Sequence, residues 1–116
     1  MEKSTLSSIA REAGQLSRIN PRDRCLESTE KVIAVVSAMR SIGYRIVLTQ
    51  GTFDLFHVGH SRYIRKAKEH GDILIVGVDD DEKARGRKGE NRPVVPLVER
   101  MEVLADNRAV DLVAVK

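Results

Sequence analysis

The chain predicts an α/β fold built on a parallel sheet, and three observations carry that expectation. Two short runs, DILIVGV at 72–78 and VDLVAV at 110–115, are almost continuously apolar and rich in β-branched residues, as strands buried on both faces are. Segments with helical spacing precede and separate them, the alternation that crossover connections between parallel strands require. A third strand-like run, RIVLTQ at 45–50, ends at Gly51 and opens onto a loop that holds two of the three histidines.

In chain order, ESTEKVIAVVSAMR at 27–40 places Val32, Val35, Val36 and Met39 three or four apart, one face of a helix. Gly43 stands where a helix C-cap belongs, and the strand 45–50 follows. The next helix spans 58–70, with Tyr63, Ile64 and Ala67 on one side and Gly71 as its stop. After the strand 72–78 comes a polar, glycine-containing loop, 79–96, whose acidic start at 79–81 reads as exposed carboxylates at a strand end. Val98, Met101, Val103 and Leu104 mark a helix over 97–107, and the strand 110–115 closes the chain. A sheet ending on that strand would leave an apolar edge uncovered.

Length and composition suit one ordinary globular domain: 116 residues, 41% hydrophobic and 32% charged. The expected division is an N-terminal extension, 1–27, and one domain, 28–116. Within the extension, IAREAG resembles the first helix of a helix-turn-helix, but Pro21 and the charges around it interrupt the recognition helix that should follow. With Phe, Trp and Tyr at 3% and a net charge of only +3, a nucleic-acid partner is not expected. The apolar runs at 32–36 and 73–76 fall far short of the roughly 20 residues of a membrane span. The first twenty residues lack the apolar core of a secretion signal, so a cytoplasmic protein without membrane association is expected. Cys25 is the only cysteine, which rules out an intrachain disulfide and leaves it an idle thiol.

The stretch TQGTFDLFHVGHSRYI at 49–64 concentrates the chemistry. It lies at the carboxyl end of the first of these strands, where open α/β sheets bind ligands. Gly51 permits close backbone approach, and Thr52 offers a hydroxyl and an N–H. His57 and His60 straddle the start of a helix, whose dipole and free N–H groups already favour an anion. Zinc would need a third close ligand, and only Asp54 is near. Neither a Gly-Lys-Ser/Thr phosphate loop nor a G-x-G-x-x-G fingerprint occurs.

GTFDLFHVGH, Gly51 to His60, resembles the G-x-F-D-x-x-H-x-G-H signature of the cytidylyltransferase-like nucleotidyltransferases. The segment at 88–111, with its Lys-Gly, Arg-Pro-Val and Pro-Leu-x-x-Arg-Met runs, is similar to D-glycero-D-manno-heptose 1-phosphate adenylyltransferases. The likeness covers 28–116 and implies a Rossmann-like sheet with helices on both faces. It also implies an enzyme that moves a nucleotidyl group, AMP from ATP, onto a sugar phosphate with release of pyrophosphate. By the same likeness, His57, His60 and Lys88 are catalytic, and Gly51, Thr52, Phe53, Asp54, Arg85 and Arg100 bind the nucleotide with the histidines. Mg²⁺ is expected with ATP or CTP, held more by nucleotide than by protein, with no protein metal site. A nucleoside triphosphate and a phosphorylated small molecule are the expected partners, and a homodimer is possible. Glycerol-3-phosphate cytidylyltransferase, FMN adenylyltransferase and a non-catalytic nucleotide-binding module are the alternatives. A later family motif, I-S-[ST]-[ST]-x-[IL]-[RK], does not occur before Lys116, so the domain is expected to be C-terminally incomplete.

Overall fold

The computed structural model describes residues 20–116. Its centre is a four-stranded, wholly parallel sheet with strands β1 (Cys25–Leu26), β2 (Ile46–Gly51), β3 (Ile73–Val78) and β4 (Leu112–Val115), in the order β1-β4-β3-β2. Helix α1 (Thr29–Ser41) links β1 to β2, and α2 (Val58–Lys68) links β2 to β3. Helices α3 (Asp81–Lys88) and α4 (Leu97–Ala105) lie between β3 and β4. The α/β expectation is met, with the boundaries of the three expected helices within two residues of those observed.

Alternation along β3 divides the interior into two layers. Leu74, Val76 and Val78 join Ile64 of α2, Met101 and Leu104 of α4, and Phe53, Val110 and Val113 in one core. Ile75 joins Leu26 and Ala114 in a smaller one, against which Val32, Val35 and Val36 of α1 pack. Helices therefore cover both faces, and β3 is buried because it has neighbours on every side. β2 is an edge strand among the described residues, which leaves Leu48 68% exposed.

Two expectations need correction. The uncovered edge at 110–115 does not exist, because β1 pairs with β4, Cys25 opposite Val113 and Leu26 opposite Ala114. A 3-10 turn, Pro21–Arg24, precedes β1; Asn20 caps it, and Arg24 Nη1 donates to the carbonyls of Ala105 and Val110 at 2.9 and 3.3 Å. Cys25 and Leu26, expected within the extension 1–27, thus belong to the sheet, while IAREAG at 9–14 lies outside the described residues. Second, the polar segment 79–96 contains α3: Asp80 accepts from Lys83 N at 2.7 Å as N-cap, with Asp81 and Glu82 in the first turn and Arg85, Arg87 and Lys88 in the last, the charge order a helix dipole favours. Tyr63 of α2 is 52% exposed, and its hydroxyl pairs with the Thr49 hydroxyl.

Burial raises the Cys25 thiol above its ordinary pKa, with Glu27 and Glu102 adding to the effect, so it stays a protonated thiol at neutral pH. Among the described residues no helix is long and apolar enough to cross a membrane.

Because Leu26 pairs with β4 and packs in the smaller core, Leu26→Ala is expected to cost about 2 kcal/mol or more in urea unfolding. A variant as stable as the parent would show instead that β1 is merely appended.

Candidate active site

The ladder between β2 and β3 runs to Gly51 opposite Val78 and is prolonged by Asp79 N donating to Gly51 O at 3.1 Å. From that point the chain turns sharply. Phe53 sits at φ +51°, a conformation that costs a non-glycine residue roughly 1–3 kcal/mol. Its ring is nonetheless only 6% exposed, packed into the main core with its edge toward the His60 imidazole, centroids 5.5 Å apart. A Cβ on Gly51 would stand 2.9 Å from Phe53 Cε2, so the glycine is what lets that ring fold back.

His57 is the N-cap of α2. Its Nδ1 accepts from Gly59 N at 3.0 Å, while His60 Nδ1 accepts from His57 N at 3.2 Å. This is the reciprocal arrangement of a capping box, made with two imidazoles instead of Ser and Glu. Both Nδ1 atoms are thereby acceptors, so each neutral ring carries its proton on Nε2, the nitrogen turned away from the backbone. The rings lie 4.0 Å apart, tilted by 32°. Gly59 completes the pattern, because a Cβ there would meet His57 Cε1 at 2.8 Å. Burial, then the neighbouring charges of His57 and Lys88, hold His60 below the ordinary imidazole pKa.

These residues border a cleft of about 560 Å³. Gly51, Thr52, Phe53 and Asp54 form its floor, His57 and His60 one wall, and Lys88 from the end of α3 contributes a cation. The structure thus gathers Gly51, Thr52, Phe53, Asp54, His57, His60 and Lys88 as the sequence implied. Gln50, Leu55, Tyr63 and Arg92 also line the cleft and were missed. For Arg92 a signal existed, since it opens the Arg-Pro-Val run.

Two expected nucleotide ligands are elsewhere. Arg85 is exposed on α3 and does not line the cleft. Arg100 is 1% exposed, and its guanidinium is committed to protein: Nε to Val95 O, Nη1 to Thr52 O and Asp79 O, each at 2.8 Å, and Nη2 to Asp81 Oδ1 at 2.7 Å. It lies beneath the loop and fixes it. The acidic run 79–81 is likewise not a set of exposed carboxylates: Asp79 is fully buried and accepts the Thr52 hydroxyl at 3.0 Å, Asp80 caps α3, and Asp81 pairs with Arg100. Arg87 and Lys116 stand 3.5 and 3.8 Å from the Asp79 carboxylate and balance its charge.

Asp54 accepts Val95 N on Oδ1 at 2.8 Å, and Val94 N and Arg92 Nη1 on Oδ2 at 2.9 and 3.2 Å. Burial pushes its carboxyl up, but these donors outweigh that and hold it below the ordinary aspartate range. With donors on both oxygens, Asp54 fastens the 92–95 segment to the loop. Among the described residues no group of three His, Cys, Asp or Glu side chains is placed to hold a metal ion.

NMR titration of the imidazole protons is expected to give His60 a midpoint below 6.5, and Lys88→Ala raises it by removing a repelling charge. A depressed histidine contributes stability that is present above 6.5 and lost as pH falls through its folded pKa, so the urea midpoint declines on mild acidification. A His60 midpoint above 6.5, or no response to Lys88→Ala, would contradict this electrostatic picture.

The model of the cytidylyltransferase-like family matches residues 48–116. The bifunctional protein HldE of a Nitratiruptor species is 40% identical over 95 residues, 82% of this chain and 21% of that protein. HldE of Alkalilimnicola ehrlichii is 47% identical over 83 residues, 72% and 17% of the two chains. The chain therefore spans about a fifth of the length of these relatives. In the crystal structure of the lipopolysaccharide core biosynthesis protein from Thermoplasma volcanium GSS1, a chain 30% identical aligns with a TM-score of 0.60 over 64% of this chain and 59% of its own. The family match begins within β2 and takes in the turn, the paired histidines and Lys88; the chain belongs to the cytidylyltransferase-like family.

Proposed function

We propose that this chain is the nucleotide-binding part of a nucleotidyltransferase that moves AMP from ATP to a sugar phosphate. The observation that carries the reading is the reciprocal lock of His57 and His60, which leaves two Nε2–H donors fixed at the N-terminus of α2 beside Lys88. Family membership supports the reaction class. Similarity to HldE proteins and to a lipopolysaccharide core biosynthesis protein supports a sugar phosphate as acceptor.

In the reaction, an acceptor phosphate oxygen forms a bond to the α-phosphorus while the bond from that phosphorus to the bridging oxygen breaks. Pyrophosphate leaves with the electron pair. Nothing covalent is asked of the protein, so its contribution is alignment and stabilisation of charge. The N–H groups at the start of α2 and the two Nε2–H donors hold phosphate oxygens, and Lys88 offsets their charge. Because the donors are already fixed, little reorganisation is needed as charge shifts toward the leaving group. Thr52, tied to buried Asp79, and Phe53, held in its turn, set the floor against which the phosphates lie. Mg²⁺ enters as part of the metal–triphosphate substrate and offsets phosphate charge.

The test is Mg²⁺-dependent pyrophosphate release with ATP or CTP against heptose 1-phosphate, glycerol 3-phosphate and FMN, with calorimetry of Mg-ATP as a readout independent of turnover. ATP with a sugar 1-phosphate is expected to be the productive pair, and His57→Ala and His60→Ala each to lower turnover by about 10²–10³-fold. No pyrophosphate with any pair, together with no binding of Mg-ATP, would sink the proposal.

A further inference from the structure

The cleft holds a second cation besides Lys88 for which the triphosphate gives no account. Arg92 lines it, with a side chain 42% exposed beside an Asp54 only 9% exposed. The ion pair looks at first like a loop fastener, yet the carboxylate does not need Arg92 to stay in place. Val95 N and Val94 N already hold its two oxygens at 2.8 and 2.9 Å, and the Arg92 contact, at 3.2 Å through Nη1, is the longest of the three. The dependence runs the other way: a carboxylate anchored by backbone fixes one edge of a guanidinium. Among the described residues, Asp54 is the only acceptor the Arg92 side chain has, so its other donors lack a protein partner in a residue that lines the cleft.

The reaction proposed above brings together two anions, a triphosphate and a phosphate monoester. The imidazoles supply Nε2–H donors, and one lysine beside them serves the triphosphate. A dianionic acceptor still requires a cation to approach the α-phosphorus. We infer that Arg92, oriented by Asp54, binds the phosphate of the acceptor and restricts the cleft to phosphate monoesters over free alcohols. This inference rests on the nucleotidyltransferase reading for its chemistry, but the assignment concerns a binding contact that can be read without turnover. A planar guanidinium suits a phosphate through paired N–H donors, a geometry that lysine cannot reproduce.

The experiment is calorimetric titration of the chain with glucose 1-phosphate, with glycerol 3-phosphate, and separately with Mg-ATP. Arg92→Ala is expected to weaken monoester binding about 10–100-fold and Arg92→Lys about 10-fold, while Mg-ATP affinity stays within about 3-fold. Circular dichroism confirms that each variant is folded, and Arg92→Lys keeps the charge in place if the alanine variant does not fold. His57→Ala gives the opposite pattern, weakening Mg-ATP and sparing the monoester. Unchanged monoester affinity in both Arg92 variants, equal loss for monoester and Mg-ATP, or no monoester binding by the parent chain each overturns the inference. Arg92-dependent monoester binding in a chain that never binds Mg-ATP would uphold it while removing the nucleotide reading.

Discussion

The cleft depends on one buried guanidinium. Arg100, from the first turns of α4, reaches Thr52 O after β2, Asp79 O after β3, Val95 O before its own helix, and the Asp81 carboxylate at the start of α3. Three chain segments that share no secondary structure are tied through a single planar group with donors in a fixed fork. Removal of one member of such a buried pair typically costs about 3–5 kcal/mol, because the partners left behind are desolvated and unpaired. Here those partners include the carbonyl of the residue just before Phe53, whose left-handed backbone needs the surrounding structure to hold it. The Phe53 ring then forms the support against which the His60 imidazole rests.

From that support the rest of the site follows in order. The strained turn delivers the chain to His57 at the start of α2, and the two histidines lock each other through backbone N–H groups. Asp54, within the same loop, draws in Val94 and Val95 and so brings the segment before α4 across the cleft. Lys88 arrives from another direction, at the end of a helix whose N-cap is the second residue after β3. The donors belong to a rigid strand–turn–helix unit, while the cations come from the segment after β3. Rigid donors and separately mounted cations are an arrangement suited to phosphoryl chemistry, in which positioning supplies most of the rate.

What could be read from the sequence follows from distance along the chain. The strands at 72–78 and 110–115 announce themselves through unbroken apolar runs, and the histidine pair lies within ten residues of Gly51, so local pattern was enough for both. β1 escaped notice because two residues have no periodicity; it exists only through its pairing with Val113 and Ala114. α3 was hidden by its charge, since a helix with almost no apolar face gives periodicity nothing to detect. Arg92 and Tyr63 reach the cleft only once the sheet is assembled. Arg100 shows the opposite failure: likeness to relatives pointed to the right residue and the wrong partner, because a motif does not reveal whether a side chain faces a ligand or the backbone beneath it.

That the cleft holds a triphosphate on the paired imidazoles, with Arg100 working from below, is tested most directly by a ¹H–¹⁵N correlation spectrum recorded during titration with Mg-ATP. The Nε2 signals of His57 and His60 and the amides of Thr52 and Phe53 should shift together, with the Arg100 side-chain N–H slow to exchange throughout. Shifts confined to other elements, with both imidazoles unmoved, would contradict it.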